Sequence, residues 1–482
     1  MGGNVLMQSS IVRSSINGDF EIMNIKIADW LNMYLSSCES VVTNKDRNEE
    51  LKITLGLPAA ICAEMARLVT QEMELNIVDT TSQTEVEDEK AKKIEAEAIE
   101  HTRASFITFA LNSFKKKIPV FTEYACAGGG VVFKPYVTND DKIAIDCSLA
   151  DEFVPLEFNS EGKITSCAFS EDKTVGKKYY HRIETHKFNN GTYVVTNEVY
   201  RSYVKDTLGT KCSLTEVPEW SELAPEVTLE NVPGPLFAYF RIPIGNCIDT
   251  TSPLGMSIFG RAESLIFQAD KQWGNYLWEF DATQAQIEVT KGTFDEDENG
   301  DPIIPQGKER LYIVSNLECD EDSNNFKIYC PTIREEPISK GLNNILKKIE
   351  FNVGLAYATI SDPQQIEKTA EEIKTSRQRS YSTVHQIQSA LEDAIVDLAQ
   401  AIDTYATLYK LAPKGGYQVK IHWDDSILID SEKERARDKD DVRSGIMQKW
   451  EYRVKWYNES EEEAKQKCGA DFNANPFNLK EE

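Results

Sequence analysis

The sequence predicts an α+β protein with more than one packed region. Amphipathic helical patterns stand at both ends of the chain and in its middle, while short β-like runs occupy about 118–246 and 282–332. The chain has 482 residues, which is too long for one hydrophobic core of usual size. Hydrophobic residues make up 41% of it, enough to fill several cores.

The first predicted helices precede any strand. Residues 24–36 (NIKIADWLNMYLS) carry apolar and aromatic side chains at near-helical spacing. Residues 57–74 (LPAAICAEMARLVTQEME) predict a second amphipathic helix, introduced by Pro58. Between Glu85 and Lys117, an acidic start and a KKK end predict a long helix, because these charges suit the helix macrodipole.

From about 118 to 246 the pattern changes to short β runs. They are GGGVVFKPYV, KIAIDCS, KITSCAFS, YYHRIETHKF and TYVVTNEVY. The Asn190-Gly191 pair between the last two predicts a hairpin, since both residue types tolerate the positive φ angles of the favoured turn. The sequence Pro233-Gly234-Pro235 then breaks the chain before LFAYFRIPI.

A helix, a β insertion and a second helix occupy the middle of the chain. The first helix is predicted over 253–281, with an apolar stripe from Ile258 to Phe280. Residues 282–332 return to β character around an acidic turn. The second helix is predicted over 336–353, with Gly354 stopping it.

The longest predicted helix comes next. Residues 354–367 have little helical pattern, whereas apolar residues at three- and four-residue steps predict a helix over 368–411. A Pro-Lys-Gly-Gly sequence ends it. The strand YQVKIHW and a highly charged helical pair follow, and the last dozen residues have the composition of a loosely ordered tail.

Composition excludes several classes of protein. The net charge of −26 repels a polyanion, so tight nucleic-acid binding by general phosphate neutralisation is disfavoured. No run approaches the roughly 18 apolar residues of a membrane-spanning helix, and no secretory signal begins the sequence. The ten cysteines include no C-x-x-C pair, which favours free thiols in a reducing compartment over a zinc cluster.

The sequence carries no recognisable catalytic motif. There is no G-x-S-x-G elbow, H-E-x-x-H pair or Walker sequence. His181 and His186 lie five apart in a strand-like segment, which places them on opposite faces and favours sheet-packing or surface roles over a metal site. Asp424 and Asp425 form a conceivable carboxylate pair, but an acidic strand end or helix cap is favoured. We therefore expect neither enzymatic activity nor a cofactor.

An acidic turn at 295–301 has part of a calcium-loop pattern. Asp295, Asp297 and Asn299 occupy positions 1, 3 and 5 of such a loop, and Gly300 occupies position 6. Position 12 is Gln306, where a bidentate glutamate belongs. A solvated acidic hairpin tip is the favoured interpretation, and we expect no metal.

The order of these segments resembles the portal proteins of tailed phages that infect Gram-positive bacteria. The matching segments are collinear over about residues 20–450. They are IADWLNMY, LPAAICAEMARLVTQEMELNI, FTEYACAGGGVVFKPYV, DEFVPLEFNSEGKI, KYYHRIETHKF, YVVTNEVYRS, SPLGMSIFGRAESLIFQADKQWGNYLWEF, GLNNILKKIEFNVGLAYATIS and WDDSILIDSEKERARDKDDVRSGIM. The acidic hairpin departs from the family pattern, as does the absence of a long C-terminal extension.

The resemblance implies a portal fold: a wing of helices and sheet, a two-helix stem, a β-containing clip, a long wing helix and a small helical crown. The implied boundaries are wing 1–252, first stem helix 253–281, clip 282–333, second stem helix 334–353, tunnel loop 354–367, returning wing helix and strand 368–430, and crown 431–482. We expect the stripe of the first stem helix to pack against Leu342, Ile345 and Ile349 of the second.

The resemblance also implies a function. Such proteins form a ring, usually of twelve subunits, at one capsid vertex, and double-stranded DNA passes through its channel during packaging and ejection. The implied partners are further copies of the chain, the large terminase, the head–tail adaptor, and the major capsid and scaffolding proteins. The implied location is the virion, after assembly in the cytoplasm of the bacterial host.

Two sets of residues are candidates for contacts with these partners. The DNA-channel candidates are Lys340, Lys347, Lys348, Tyr357, Thr359, Gln364 and Gln365. The clip candidates are Asp295, Asp297 and Asp301. Lysines that make transient phosphate contacts and lysines on an ordinary solvated helix face fit the sequence equally well.

Three alternatives remain open from the sequence. One is another structural protein of the head–tail connector or baseplate. Another is an intracellular enzyme whose site is assembled from distant residues. The third is a coiled-coil binding module built on residues 368–411, although Arg377 and Ser380 interrupt its seam.

Overall fold

The structure is a computed structural model, and it confirms the predicted α+β class. It describes residues 21–36, 54–71, 73–80, 102–138, 140–204, 207–290, 295, 303, 312–315, 326–362, 370–423, 431–457 and 461–468. Helices alternate with mostly antiparallel sheets in these residues. The chain divides into a large unit, Met1–Thr70 with Leu75–Ile421, and a small unit, Gln71–Glu74 with His422–Glu482.

Four helices and one strand begin the described chain. They are α1 (Glu21–Ser36), α2 (Leu57–Thr70), β1 (Met73–Asp79), α3 (Arg103–Lys115) and α4 (Ile118–Gly128). The first predicted helix is confirmed. The second is confirmed as far as Thr70, whereas Met73 and Glu74, predicted as its end, belong to the strand β1. Only the end of the long helix predicted up to Lys117 is described, as α3, because residues 81–101 lie outside the described part.

Helix α4 corrects the prediction that β structure begins at 118. Ile118, Thr122 and Ala125 recur at four- and three-residue steps and are all buried, which is a helical pattern over a short run. A proline stands in the first turn, where a missing N–H costs nothing. Gly129 ends the helix with φ 91° and its N–H donates to Ala125 O at 2.7 Å.

Two antiparallel sheets follow in the large unit. The strands are β2 (Gly130–Val137), β3 (Ile143–Ser148), β4 (Phe153–Phe158), β5 (Ile164–Val175), β6 (Lys178–Asn189), β7 (Thr192–Ser202), β8 (Thr210–Cys212), β9 (Glu226–Leu229) and β10 (Ala238–Arg241). One sheet has the order β10-β2-β3, and the other has the order β4-β5-β6-β7-β8 with β9 paired to β7. Asn190 (φ 49°) and Gly191 (φ 86°) form the turn between β6 and β7, which confirms the predicted hairpin.

The predicted first helix of the middle region begins ten residues late. Helix α5 spans Glu263–Ala282 after a 3₁₀ turn at Gly260–Ala262. The preceding segment is buried and irregular because it packs on the end of α4: Ile258 N–H donates to Cys126 O at 2.9 Å. A side chain on Gly255 would collide with the backbone of Gly129, so the two glycines permit this approach. These long-range contacts outweigh the apolar helical stripe.

A three-stranded sheet and a second helix complete the middle region. The strands β11 (Gln286–Thr290), β12 (Tyr312–Ser315) and β13 (Phe326–Tyr329) have the order β12-β11-β13, with β11 parallel to β12 and antiparallel to β13. Helix α6 (Glu335–Val353) follows within one residue of its predicted start. Gly354 ends it at φ 85°, as predicted.

Helix α7 (Ala370–Leu408) is the longest in the described chain and carries the main core seam. Its buried apolar residues are Val384, Ile387, Leu391, Ile395, Leu398 and Ile402. They face α2, α3 and the β10-β2-β3 sheet within the large unit. The seam on which a coiled-coil dimer would depend is therefore already covered inside one chain.

The strand β14 (Tyr417–Trp423) coincides with the predicted YQVKIHW strand and pairs with β1. The small unit contains α8 (Ser431–Arg443), α9 (Lys449–Tyr457) and α10 (Glu461–Cys468). Asp438 joins α8 to α9, because it accepts a hydrogen bond from Trp456 Nε1 at 2.8 Å and pairs with Lys455 Nζ at 2.7 Å. No helix in the described residues is both long and apolar enough to cross a membrane.

Candidate functional site in the helix pair and its connecting loop

A buried carboxylate, Glu279, and an exposed guanidinium, Arg334, form an ion pair at the base of the three-stranded insertion. The Glu279 carboxylate, near the end of α5, accepts hydrogen bonds from the backbone N–H of Arg334 (3.1 Å), from its Nε (2.9 Å) and from its Nη2 (2.8 Å). The guanidinium hydrogen bond holds the pKa of Glu279 below its ordinary value. Tyr276 OH adds a hydrogen bond to Glu335 across the same junction at 3.3 Å. The end of α5 is therefore joined to the start of α6.

The two helices bury only part of their apolar surface against each other. Helices α5 and α6 are in contact, and Ile266, Ala269 and Ile349 are buried. The predicted stripe is buried near its start but not at its end. Its exposed members and neighbours are Phe267 (55%), Trp278 (63%), Phe280 (39%) and, on α6, Phe351 (53%). A single chain thus leaves large aromatic side chains of both helices in contact with solvent.

The loop after α6 folds back along the helix. Glu350, fully buried in the last turn of α6, accepts hydrogen bonds from Ile360 N–H (2.7 Å), Ser361 N–H (2.8 Å) and Ser361 Oγ (2.9 Å). Two turns earlier, Asn343 Oδ1 accepts a hydrogen bond from Asp362 N–H at 2.8 Å. The described part of the loop, residues 354–362, is therefore tied at its far end.

Arg379 of α7 covers the near end of the same loop. Its guanidinium lies 4.5 Å from the ring centre of Phe351 and 5.3 Å from that of Tyr357. Its Nη2 also donates to Leu355 O at 3.5 Å. Sequence reasoning missed both Glu350 and Arg379. The signal for Glu350 was available, because an acidic residue in the last turn opposes the helix macrodipole and therefore needs other partners.

The structure places the predicted channel residues around this loop. Lys340 and Lys348 are exposed on α6, and Lys347 is half-buried. Tyr357 lies beneath Arg379, and the Thr359 hydroxyl donates to Ala356 O at 2.6 Å within the loop itself. Two further predicted residues, Gln364 and Gln365, lie outside the described residues. Their roles stay predictions.

Of the three clip candidates, only Asp295 is described. It is exposed, and its backbone carbonyl accepts a hydrogen bond from Ile303 N–H at 2.7 Å. The other two, Asp297 and Asp301, lie outside the described residues, as does most of the acidic turn. Within the described ranges, no group of His, Cys, Asp and Glu side chains has the arrangement of a metal site.

The histidines of the large sheet pack inside it. His181 Nδ1 lies 2.7 Å from Asp172 Oδ1 on the neighbouring strand. His186 is buried between Tyr193 OH, 2.6 Å from Nδ1, and Glu184 Oε1, 2.9 Å from Nε2. Burial lowers the pKa of His186. Both side chains are partnered within the sheet, as the sheet-packing interpretation predicts.

A polar cavity of about 280 Å³ lies beside this sheet, and charged side chains that line it form ion pairs with each other. Lys134 Nζ lies 2.8 Å from Glu184 Oε2 and 4.7 Å from the ring centre of Phe169. Arg182 Nη2 lies 2.7 Å from Glu171 and 3.2 Å from Glu184. The cations lining the cavity are thus engaged by carboxylates of the same sheet.

Comparison with known families gives a match that spans the helix pair, the sheet insertion and the connecting loop. A family model described as "Phage portal protein, SPP1 Gp6-like" matches residues 17–466, nearly the whole chain. No curated protein matches the chain. The match begins before α1, ends in α10, and includes every element of the large unit. The chain therefore belongs to the SPP1 Gp6-like family of phage portal proteins.

Proposed function

We propose that this protein is the repeating subunit of a ring at one capsid vertex, whose central channel passes DNA during packaging and ejection. The observation that carries the proposal is the exposed aromatic surface on α5 and α6. Trp278 and Phe351 are each more than half exposed, although other apolar residues of the same two helices are buried. A ring closed by heterologous contacts covers such surfaces with the neighbouring subunit.

The charge of the chain supports a channel through which DNA slides. Each subunit carries −26, so a ring of twelve carries about −310. A wall of that sign repels phosphates and opposes tight binding. Lys340, Lys347 and Lys348 are proposed to supply transient phosphate contacts within it.

Each segment of the chain is proposed to form one part of the portal subunit. The α5–α6 pair is the proposed stem, residues 282–333 the clip, 354–367 the tunnel loop, and 431–482 a small crown. Residues 1–252 and 368–430 form the proposed wing. Tyr357, Thr359, Gln364 and Gln365 are proposed to face DNA from the tunnel loop.

The proposed partners bind in sequence at the clip. The large terminase docks there during packaging, and the head–tail adaptor replaces it afterwards. Asp295, Asp297 and Asp301 are the proposed contact residues. The major capsid and scaffolding proteins surround the wing during assembly in the bacterial host cytoplasm. The role is structural, and no catalytic step is proposed for this chain.

Solution mass with a matched pair of variants tests the ring. Twelve copies of the 54.5 kDa chain should elute as one species of about 650 kDa in size-exclusion chromatography with light scattering. Trp278→Glu places a charge in the proposed interface and should shift the mass toward monomer. Val175→Glu, at the exposed end of β5, is the control and should leave the mass unchanged. A wild-type monomer at all concentrations would contradict the proposal.

A further inference from the structure

The nine residues after α6, 354–362, form a loop that is hydrogen-bonded to the helix. The far end of the loop is bound to α6 at two levels, by Glu350 through Ile360 and Ser361 and by Asn343 through Asp362. The four hydrogen bonds measure 2.7 to 2.9 Å, and two of their donors are backbone N–H groups bound to one carboxylate oxygen. The loop therefore returns along the helix it has just left.

The position of Glu350 is explained by the loop and not by the helix. A carboxylate near a helix C-terminus faces the negative end of the macrodipole, and a fully buried carboxylate also loses its hydration. Three donors from the loop replace the lost water. The same residue's backbone carbonyl accepts hydrogen bonds from Gly354 N–H and Leu355 N–H, both at 3.0 Å. Glu350 thus holds both ends of the segment.

The near end is held from the other side. Arg379 of α7 covers Phe351 and Tyr357 and reaches the carbonyl of Leu355. A Cβ on Gly354 would lie 2.5 Å from Thr383 Oγ1, so the backbone also approaches α7 closely there. Movement of the loop away from α6 therefore has to break contacts to two helices.

We infer that Glu350, with Asn343, is a latch that holds residues 354–362 folded against α6. Residues 354–362 can move away from α6 only after the three hydrogen bonds of Glu350 have broken. The latch follows from the contacts alone, and only its consequence for DNA rests on the proposed function. In the ring, the loop would meet DNA in its folded state, and an extended state would become available only when the latch is released.

Hydrogen exchange of the full chain, followed by mass spectrometry of peptides, tests the latch. Glu350→Ala should accelerate exchange of the amides in 355–362 by at least about tenfold, while peptides from the α7 core at 384–402 keep their wild-type rates. Glu350→Gln retains an oxygen acceptor for Ile360 and Ser361 and should stay within about threefold of wild type. Asn352→Ala is the control, because its side chain is exposed and donates to Lys348 O of its own helix.

Two outcomes overturn the latch. One is an unchanged exchange rate in 355–362 for Glu350→Ala, and the other is an equal acceleration throughout α6 and α7, which would make Glu350 a general stabiliser. If that variant does not fold, Asn343→Ala and Ser361→Ala replace it and should each give local acceleration. Light scattering on the same samples separates the two proposals. A latch without a ring overturns only the proposed function, and a ring without a latch overturns only this inference.

Discussion

Buried charged side chains hold separate elements of this protein together. Glu350 binds loop amides, Glu279 binds Arg334, and Arg103 joins α3 to α7. Arg103 is only 1% exposed, and its Nε lies 3.3 Å from Asp403 Oδ1 while its Nη2 donates to Thr407 Oγ1 at 3.1 Å. Burial of each of these charged groups would destabilise the folded state if its partner were absent.

Arg103→Met should show that dependence directly. Methionine keeps the length of the side chain but removes the cation 3.3 Å from Asp403, and Asp403 is one-third exposed and still interacts with Lys414, which moderates the cost. We expect a loss of about 2 kcal/mol in the free energy of unfolding, measured by urea titration. The control is Arg67→Met, since Arg67 is half exposed where it pairs with Glu64 on α2, and this pair should contribute less than about 1 kcal/mol. Equal losses for the two variants would contradict the argument.

His186 should make the stability of the large sheet depend on pH. Its Nδ1 accepts from Tyr193, its Nε2–H donates to Glu184, and Lys134 and Arg182 face the same carboxylate. Burial lowers the folded pKa below the ordinary 6.5, so the unfolded chain binds the proton more readily. Stability contributed by neutral His186 is present above pH 6.5 and is lost as the pH falls below it.

Thermal unfolding at about pH 7.5 and about pH 5.5 checks this sign. The wild-type Tm should fall at the lower pH by more than that of His186→Gln, because glutamine does not titrate. A larger fall for His186→Gln would mean that the histidine gains stability on protonation, the opposite of what burial between Tyr193 and Glu184 requires.

At the scale of elements, sequence prediction succeeded where local signals agree with the tertiary fold. The turn at Asn190-Gly191, the strand YQVKIHW and helix α6 with its glycine stop all follow from local rules. Sequence prediction failed where contacts between residues far apart in the chain determine the local conformation. The segment before α5 carries a helical stripe, yet packing of Gly255 on Gly129 keeps it irregular.

The glycine that ends α6 should not tolerate a side chain. Gly354 has φ 85°, and an added Cβ would meet Thr383 Oγ1 at 2.5 Å, so Gly354→Ala is both strained and crowded. We expect a loss of about 1–2 kcal/mol in the free energy of unfolding. Adding Thr383→Ala should recover only the part due to crowding. A stability equal to wild type for Gly354→Ala would contradict the described cap.

The order of the segments along the chain predicted the family, and no single motif did. The segments quoted from the sequence fall in the matched range 17–466, and the helix–sheet–helix arrangement is present as expected. The site was harder to predict. The place of Glu350 in the last turn of α6 was a local signal that it needs partners, but the sequence did not say which. Arg379 contacts Phe351, Leu355 and Tyr357 across more than twenty residues, and such contacts leave no local pattern.

The net charge gives a prediction for DNA. A duplex of about 30 base pairs should bind the purified protein no more tightly than about 10 µM at 0.15 M salt, because repulsion outweighs the few lysine contacts. Fluorescence anisotropy of a labelled duplex measures this. Nanomolar affinity would contradict a channel in which DNA slides past walls of like charge.

Negative-stain electron microscopy with rotational class averaging shows whether the chain forms a ring with a channel. We expect ring-shaped particles of about twelve subunits around a central hole, with Trp278→Glu reducing their number and Val175→Glu preserving it. Uniform monomers or dimers without a hole would contradict the claim that this chain builds a channel.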